Sequence, residues 1–168
     1  MWFRLAAVDL DYLRTAPRQV SQQVVVAGAP DAVFAVLTGN RWPEWFPELE
    51  EMRWEPDPPR AVGGKRYVHV GPSRAHETLL AFEPARRLAL RLDRSNLFVV
   101  KAMLVEFALS PVADQRTRVS LAWHYELRFW LRPFHLRARA RFQGLVDAAL
   151  AGLKQYVERL TGVSSVAT

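Results

Sequence analysis

Apolar residues in the last part of the chain return at Phe134, Ala138, Phe142, Leu145, Ala149, Leu153, Tyr156 and Leu160. Steps of three and four residues put them on one face of an α-helix. Val146, Leu150 and Val157 widen that face, and Gln143, Asp147, Lys154, Glu158 and Arg159 fall opposite. Pro133 suits a first helical turn, where its missing N–H has no partner to lose, and Gly162 suits the stop. The spacing predicts a helix over Pro133 to Leu160 that needs a broad apolar surface to lie on.

Most of what precedes it has the period of strands. Val119, Leu121, Trp123, Tyr125 and Leu127 take one face of a strand over Thr117 to Leu127; Arg118, Ser120, His124 and Glu126 take the other, which this phase leaves in solvent. Met103, Val105, Phe107 and Leu109 share a face of Val99 to Leu109, and Pro111 to Arg116 joins the two as a hairpin. Odd residues must then pair with odd, because a one-residue slip would bury Arg118 and His124. Further strands are predicted over Gln19 to Val26, Met52 to Glu55, Lys65 to Val70, Ala75 to Phe82 and Arg87 to Leu92, with a turn at Asp93 to Asn96. Pro30 and Asp31 open a short helix containing Val33, Phe34 and Leu37, Gly39-Asn40 closes it, and Arg41 to Pro47 forms one more turn. Short links between consecutive strands dictate antiparallel pairing. The expected fold is α+β: a curved antiparallel sheet of six or seven strands wrapped around a long C-terminal helix, with two short helices after the first strand.

Met1 to Arg18 carries Trp2, Phe3, Leu5, Val8, Leu10, Tyr12 and Leu13, too many large apolar residues for a loose tail. It is expected to pack as an arm on the domain or on a second subunit, since Asp9 and Asp11 oppose a membrane anchor. The expected division is an arm over 1–18, one domain over 19–162 and a tail over 163–168.

Composition narrows the chemistry. The sequence has 168 residues and no cysteine, which excludes disulfides, thiol catalysis and Cys-ligated metals. No apolar run approaches the ~18 residues of a membrane span, and Arg4, Asp9, Asp11 and Arg14 interrupt any signal-peptide core. A cytoplasmic location is expected. The four histidines show no paired helical spacing, so no metal is expected. There is no Gly-x-Gly-x-x-Gly, P-loop or Gly-x-Ser-x-Gly motif, so no cofactor or nucleophile elbow is indicated.

Charge changes the picture at one place. The net charge is +6, and Arg128, Arg132, Arg137, Arg139 and Arg141 lie among Phe129, Trp130, Phe134 and Phe142. Two readings stay open: a solvated, locally paired face, or a site for anionic lipid or nucleic acid. Arg137, Arg139 and Arg141 fall in the first turns of the helix, where the macrodipole disfavours cations, so the helix itself does not use them. The acidic run Glu44, Glu48, Glu50 and Glu51 is a candidate internal partner. An anionic membrane surface is retained as a possible partner; nucleic acid is not expected.

Several segments resemble a known family. A strand ending at Val26 leads into Ala29-Pro30-Asp31-Ala32-Val33-Phe34-Ala35-Val36-Leu37, then Trp42-Pro43-Glu44-Trp45-Phe46-Pro47. Val62-Gly63-Gly64 and Phe82-Glu83-Pro84-Ala85-Arg86-Arg87-Leu88 follow. This order is similar to the helix-grip fold of the START/Bet v1-like (SRPBCC) superfamily, and most to its bacterial polyketide cyclase/dehydrase and lipid-transport branch. Ala85 stands where that family often has a proline. The similarity covers about Gln19 to Leu160, and its motifs are packing and turn residues, which specify fold rather than function.

The resemblance implies a deep cavity between sheet and helix, usually holding a hydrophobic molecule. On the inward faces the candidate walls are Leu90, Met103, Val105, Phe107, Leu121, Trp123, Tyr125, Phe142, Leu145 and Ala149; ordinary core is the alternative for each. Gly144 and Gly152, each costing the helix roughly 1 kcal/mol relative to alanine, either allow close packing or leave room for a ligand. Candidate polar groups are Tyr67, His69, His76, Glu77 and Tyr125. His76 shares a phase with Thr78, Leu80 and Phe82, which would turn it inward as a general base beside Tyr125; a partly exposed strand-end histidine is the other reading. Three functions follow in order: binding or transport of a lipid-like or aromatic polyketide-like small molecule; a polyketide cyclase/aromatase using His76 and Tyr125; and peripheral membrane or nucleic-acid binding through the arginines. A monomer or homodimer is compatible with each.

Overall fold

The period of three and four residues produces a helix, α3, over His135–Leu160. A 3-10 turn over Phe129–Phe134 carries Pro133 and leads into it. The computed structural model describes residues 1–162; the expected tail, 163–168, lies outside the described residues. Seven strands form the main sheet: β2 (Arg18–Ala27), β3 (Leu49–Glu55), β4 (Lys65–Val70), β5 (Ser73–Glu83), β6 (Arg87–Ser95), β7 (Val100–Ala113) and β8 (Arg116–Leu127). Their spatial order is β2-β8-β7-β6-β5-β4-β3, every pair antiparallel. A two-residue strand, β1 (Phe3–Arg4), pairs with β6. The short helices are α1 (Tyr12–Thr15), α2 (Pro30–Thr38) and a 3-10 turn at Trp42–Glu44. This is the helix-grip fold.

Register follows the apolar phase. Met103 pairs with Tyr125, Val105 with Trp123, Phe107 with Leu121 and Leu109 with Val119. The hairpin is tighter than Pro111 to Arg116, since β7 runs to Ala113 and only Asp114 and Gln115 turn the chain. Asp93 to Ser95 is strand rather than turn, because Arg94 and Ser95 pair with β1.

The N-terminal arm accounts for a second difference. Val8, Leu10, Tyr12 and Leu13 pack on Leu80, Ala81, Ala89 and Leu104, on the face of the sheet turned away from α3. Arg91 donates to the Val8 carbonyl (3.2 Å), and the backbone N–H of Leu5 donates to the Asp93 carbonyl (2.9 Å). His124, expected in solvent, pairs with Leu104 in the register and is buried. The arm covers that row. Burial lowers the His124 pKa, against the pull of Glu106, and burial raises that of Tyr12 to about 12, helped by Glu126.

Helix α3 also protects a sheet edge. Strand β2 has no strand beyond it, and open edges recruit other chains. Gln143 donates to the Ser21 carbonyl (3.0 Å), Lys154 donates to the Val25 carbonyl (2.9 Å), and Glu158 accepts from the Ala27 N–H (3.0 Å). Burial raises the Glu158 pKa, but the hydrogen bonds from Lys154 and Ala27 and the charges of Lys154 and Arg116 overcome it, leaving the carboxyl below its ordinary value.

The two glycines of α3 play opposite parts. A Cβ at Gly152 would lie 1.7 Å from the Trp45 carbonyl oxygen, whereas at Gly144 it would meet nothing within 4 Å. Gly152 therefore lets the aromatic turn press against the helix, and backbone cannot step aside as a flexible side chain can. Replacing Gly144 by alanine should stabilise the fold by roughly 0.5–1 kcal/mol through helix propensity. Replacing Gly152 by alanine should reverse the sign and cost about 1–3 kcal/mol or more, as read by urea unfolding of both variants.

Candidate functional site

Only part of the apolar face of α3 is sealed. Leu145, Val146, Ala149, Leu150, Leu153 and Val157 are buried, while Ala138 and Phe142, nearer the N-terminus, are half-buried. Under this first half lies a cavity of about 310 Å³. Met103, Val105, Phe107, Leu121, Trp123, Phe142, Leu145 and Ala149 border it, with Trp42 and Phe46 from the aromatic turn, Leu49, Val68 and Leu92 from the rest of the sheet, and Leu97 from the β6–β7 loop. Leu90 and Tyr125, also proposed as walls, are fully buried in the core beside it. Tyr125 sits edge-on to Phe142 at 4.9 Å between ring centres. Burial raises its pKa, against the attraction of Arg18 and Arg139.

The principal polar feature of the wall is an ion pair. Arg66 on β4 and Glu77 on β5 are cross-strand partners. Arg66 Nε donates to Glu77 Oε2 at 2.5 Å, with both side chains about 5% exposed or less. The guanidinium lies between two indoles, 4.7 Å from the centre of Trp42 and 5.1 Å from that of Trp54. Those indoles are fixed in turn: Trp42 donates to the Leu37 carbonyl (2.9 Å) and Trp54 to that of Gly39 (3.0 Å). Arginine tolerates such a site better than lysine because it stacks on aromatic faces and is weakly hydrated. Its Nη1 is buried and has no hydrogen-bond partner. A buried donor left unmade costs about 1–3 kcal/mol, more when charged.

Other polar candidates lie elsewhere. His76, expected to face inward, is exposed on the opposite face, in the row of Tyr67 and Arg94. Its ring packs on Trp2 (4.8 Å) and Tyr67 (5.3 Å). The cause is the register shift at Leu79/Ala81, where Leu80 is an extra residue in β5. It breaks the alternation, so Glu77 and Phe82 both reach the inner side although their numbers differ in parity. His76 and Tyr125 therefore do not face each other across the cavity. His69 lies beside Glu50 (3.3 Å), and Tyr67 lies under the Arg53 guanidinium (4.9 Å). Arg141 borders the cavity and pairs with Glu48 at 2.6 Å, so this arginine has a partner in the acidic run. Arg66 was the residue missed. Its signal was its place in phase with Val68 and Val70, a cation on the apolar side of a strand. Among the described residues no three His, Asp or Glu side chains converge as metal ligands.

A curved antiparallel sheet closed by a terminal helix over an apolar cavity defines a helix-grip fold. The chain belongs to the polyketide cyclase/dehydrase and lipid transport family, whose model matches residues 17–158. Similar solved structures include a START superfamily protein from Mycobacterium smegmatis, 15% identical, covering 84% of this chain and 98% of that one with a TM-score of 0.69. The Zhui aromatase/cyclase from Streptomyces sp. R1128 is 21% identical, covering 86% and 95%, with a TM-score of 0.65. The ginseng major latex-like protein 151 from Panax ginseng is 11% identical, covering 83% and 96%, also at 0.65. At these identities the likeness is one of fold. No curated protein matches the sequence.

The buried pair sets an asymmetric expectation. Glu77→Ala would leave Arg66 charged and unpaired, and should cost about 3–5 kcal/mol in denaturant unfolding. The double change Arg66→Met with Glu77→Leu removes both charges at similar volume and should return most of that loss.

Proposed function

We propose that the chain binds or carries a hydrophobic small molecule that presents an oxygen acceptor to Arg66. Two observations support this reading: Arg66 borders a cavity whose other walls are almost all apolar, and its buried Nη1 has no hydrogen-bond partner. Ligand pockets commonly combine apolar walls with a few polar groups that fix orientation. A carbonyl, carboxylate or enolate oxygen would complete the guanidinium's hydrogen bonds while the remainder of the molecule replaces empty space. The volume, about 310 Å³, lies at the small end of the ~300–1,000 Å³ of such pockets. It suits one aliphatic chain or a compact ring system rather than a whole two-chain phospholipid.

A cyclase/aromatase activity is the second reading, favoured by the same arginine, since a buried cation stabilises the enolate on which ring closure depends. Enolisation also needs a base. The ionisable groups bordering the cavity are Arg66, Glu77 and Arg141, and Glu77 is engaged with Arg66. The carrier reading asks less of the site.

Native mass spectrometry and titration with matched ligands test it. A fatty acid or aromatic ketone should bind, and its deoxygenated hydrocarbon should bind about ten-fold or more weakly, the value of a charge-assisted hydrogen bond. The Arg66→Met/Glu77→Leu protein should lose that preference while keeping hydrocarbon affinity. A cavity that stays empty against a broad panel of lipids and aromatics contradicts the proposal.

A further inference from the structure

The described surface carries a cluster of large apolar side chains that the fold does not bury. Phe129 is 68% exposed, Trp130 45%, Phe134 55%, Leu136 68% and Phe98 39%. Three of them are in contact: Phe98 stacks on Trp130 at 5.1 Å, and Trp130 meets Phe129 edge-on at 4.7 Å. Phe134 and Leu136 follow at the end of the same 3-10 turn and the start of α3, completing a ridge. Isolated exposed apolar residues are ordinary, but contiguous ones mark an interaction site. Arginines are interleaved with them. Arg128 lies 3.8 Å from the centre of the Phe98 ring, and Arg132, Arg137 and Arg139 are exposed along the 3-10 turn and the first turns of α3. Of these four, only Arg132 has a carboxylate partner among the described residues, Glu126 at 3.4 Å.

We propose that this ridge docks the protein on an anionic lipid bilayer, with the aromatic and leucine side chains in the headgroup boundary and the arginines on the lipid phosphates. Charge complementarity selects this occupant. A second copy joined about a two-fold axis would bring the arginine-rich patch against its own image, so like charges would meet. Nucleic acid would use the arginines, but Leu136, Pro133 and Phe134 protrude beside them, and aliphatic tips gain more among acyl chains than against bases. Amphipathic binding of this kind combines buried apolar area with attraction to anionic headgroups. It also gives a use to cations set where the helix dipole opposes them.

The ridge adjoins the cavity lining. Leu97 and Val99 border the cavity, and Phe98 between them turns outward. Ala138, between Arg137 and Arg139, borders it as well. Docking would turn this part of the cavity lining toward the membrane. The inference does not rest on the cavity being occupied, because no ridge residue lines it.

Co-sedimentation of the full chain with vesicles of phosphatidylcholine, and with vesicles in which phosphatidylglycerol replaces about a third of that lipid, reads the surface directly. Binding to the anionic vesicles should exceed binding to the neutral ones by about ten-fold or more and weaken as salt rises. The exposed double variant Arg137→Ser/Arg139→Ser should lower it about ten-fold, as should Trp130→Ser, with unchanged unfolding curves. Brominated acyl chains should quench a component of the fluorescence that Trp130→Phe removes. Equal partition onto both vesicles, absence of binding, or full binding by the variants would overturn the proposal. So would tighter, ridge-dependent binding to duplex DNA, or a dimer that Trp130→Ser dissociates.

Discussion

The carbonyl oxygen of Trp45 occupies the space that a side chain at position 152 would need. That contact fixes how the long helix sits on its sheet. Beyond it, Leu153 and Val157 are buried, and Lys154 and Glu158 hold the backbone of β2. Before it, Ala138 and Phe142 stand over open space. A helix curves only gently unless something breaks its hydrogen-bond ladder, so it cannot bend sharply to close such a gap. Pinning one half tightly therefore leaves the other half raised. The cavity is a geometric consequence of the clamp as much as of the residues lining it.

The same aromatic turn that supplies the clamp supplies the cavity's charge environment. Trp42 packs at a tilt on Trp45, 4.5 Å between ring centres, and also covers the Arg66 guanidinium. A segment read from sequence as packing residues thus joins the seat of α3 to the polar wall of the site. Placing an ion pair in an apolar wall rarely improves stability over a hydrophobic pair. Its presence here, with one guanidinium nitrogen unsatisfied, is what the proposed ligand contact would account for.

Much of the fold was legible from periodicity. The 3.6-residue face of α3 and the alternation in β7 and β8 fixed the helix, the hairpin and the odd-with-odd register, because burial of one face leaves few alternatives. Gly152 was recognised as unusual in a helix, but its partner, Trp45, lies far away in sequence. The misplacement of His76 has a local physical cause: the extra residue Leu80 in β5 restarts the phase, and alternation cannot reveal where a bulge falls. His124 was misread because its cover is the N-terminal arm, and a strand's polar face looks the same whether water or another segment lies on it. Arg66 carried a signal, a cation in phase with valines, that reads as a solvated edge until Glu77 and the two indoles are seen around it.

Xenon binding to crystals under pressure tests most directly whether the clamp leaves real space, since dry apolar cavities take up xenon. The account predicts density between α3 and the sheet, near Phe107, Leu121 and Leu145, that persists in Gly144→Ala. A helix lying flat on the sheet, with those side chains in mutual contact and no xenon between them, would contradict it.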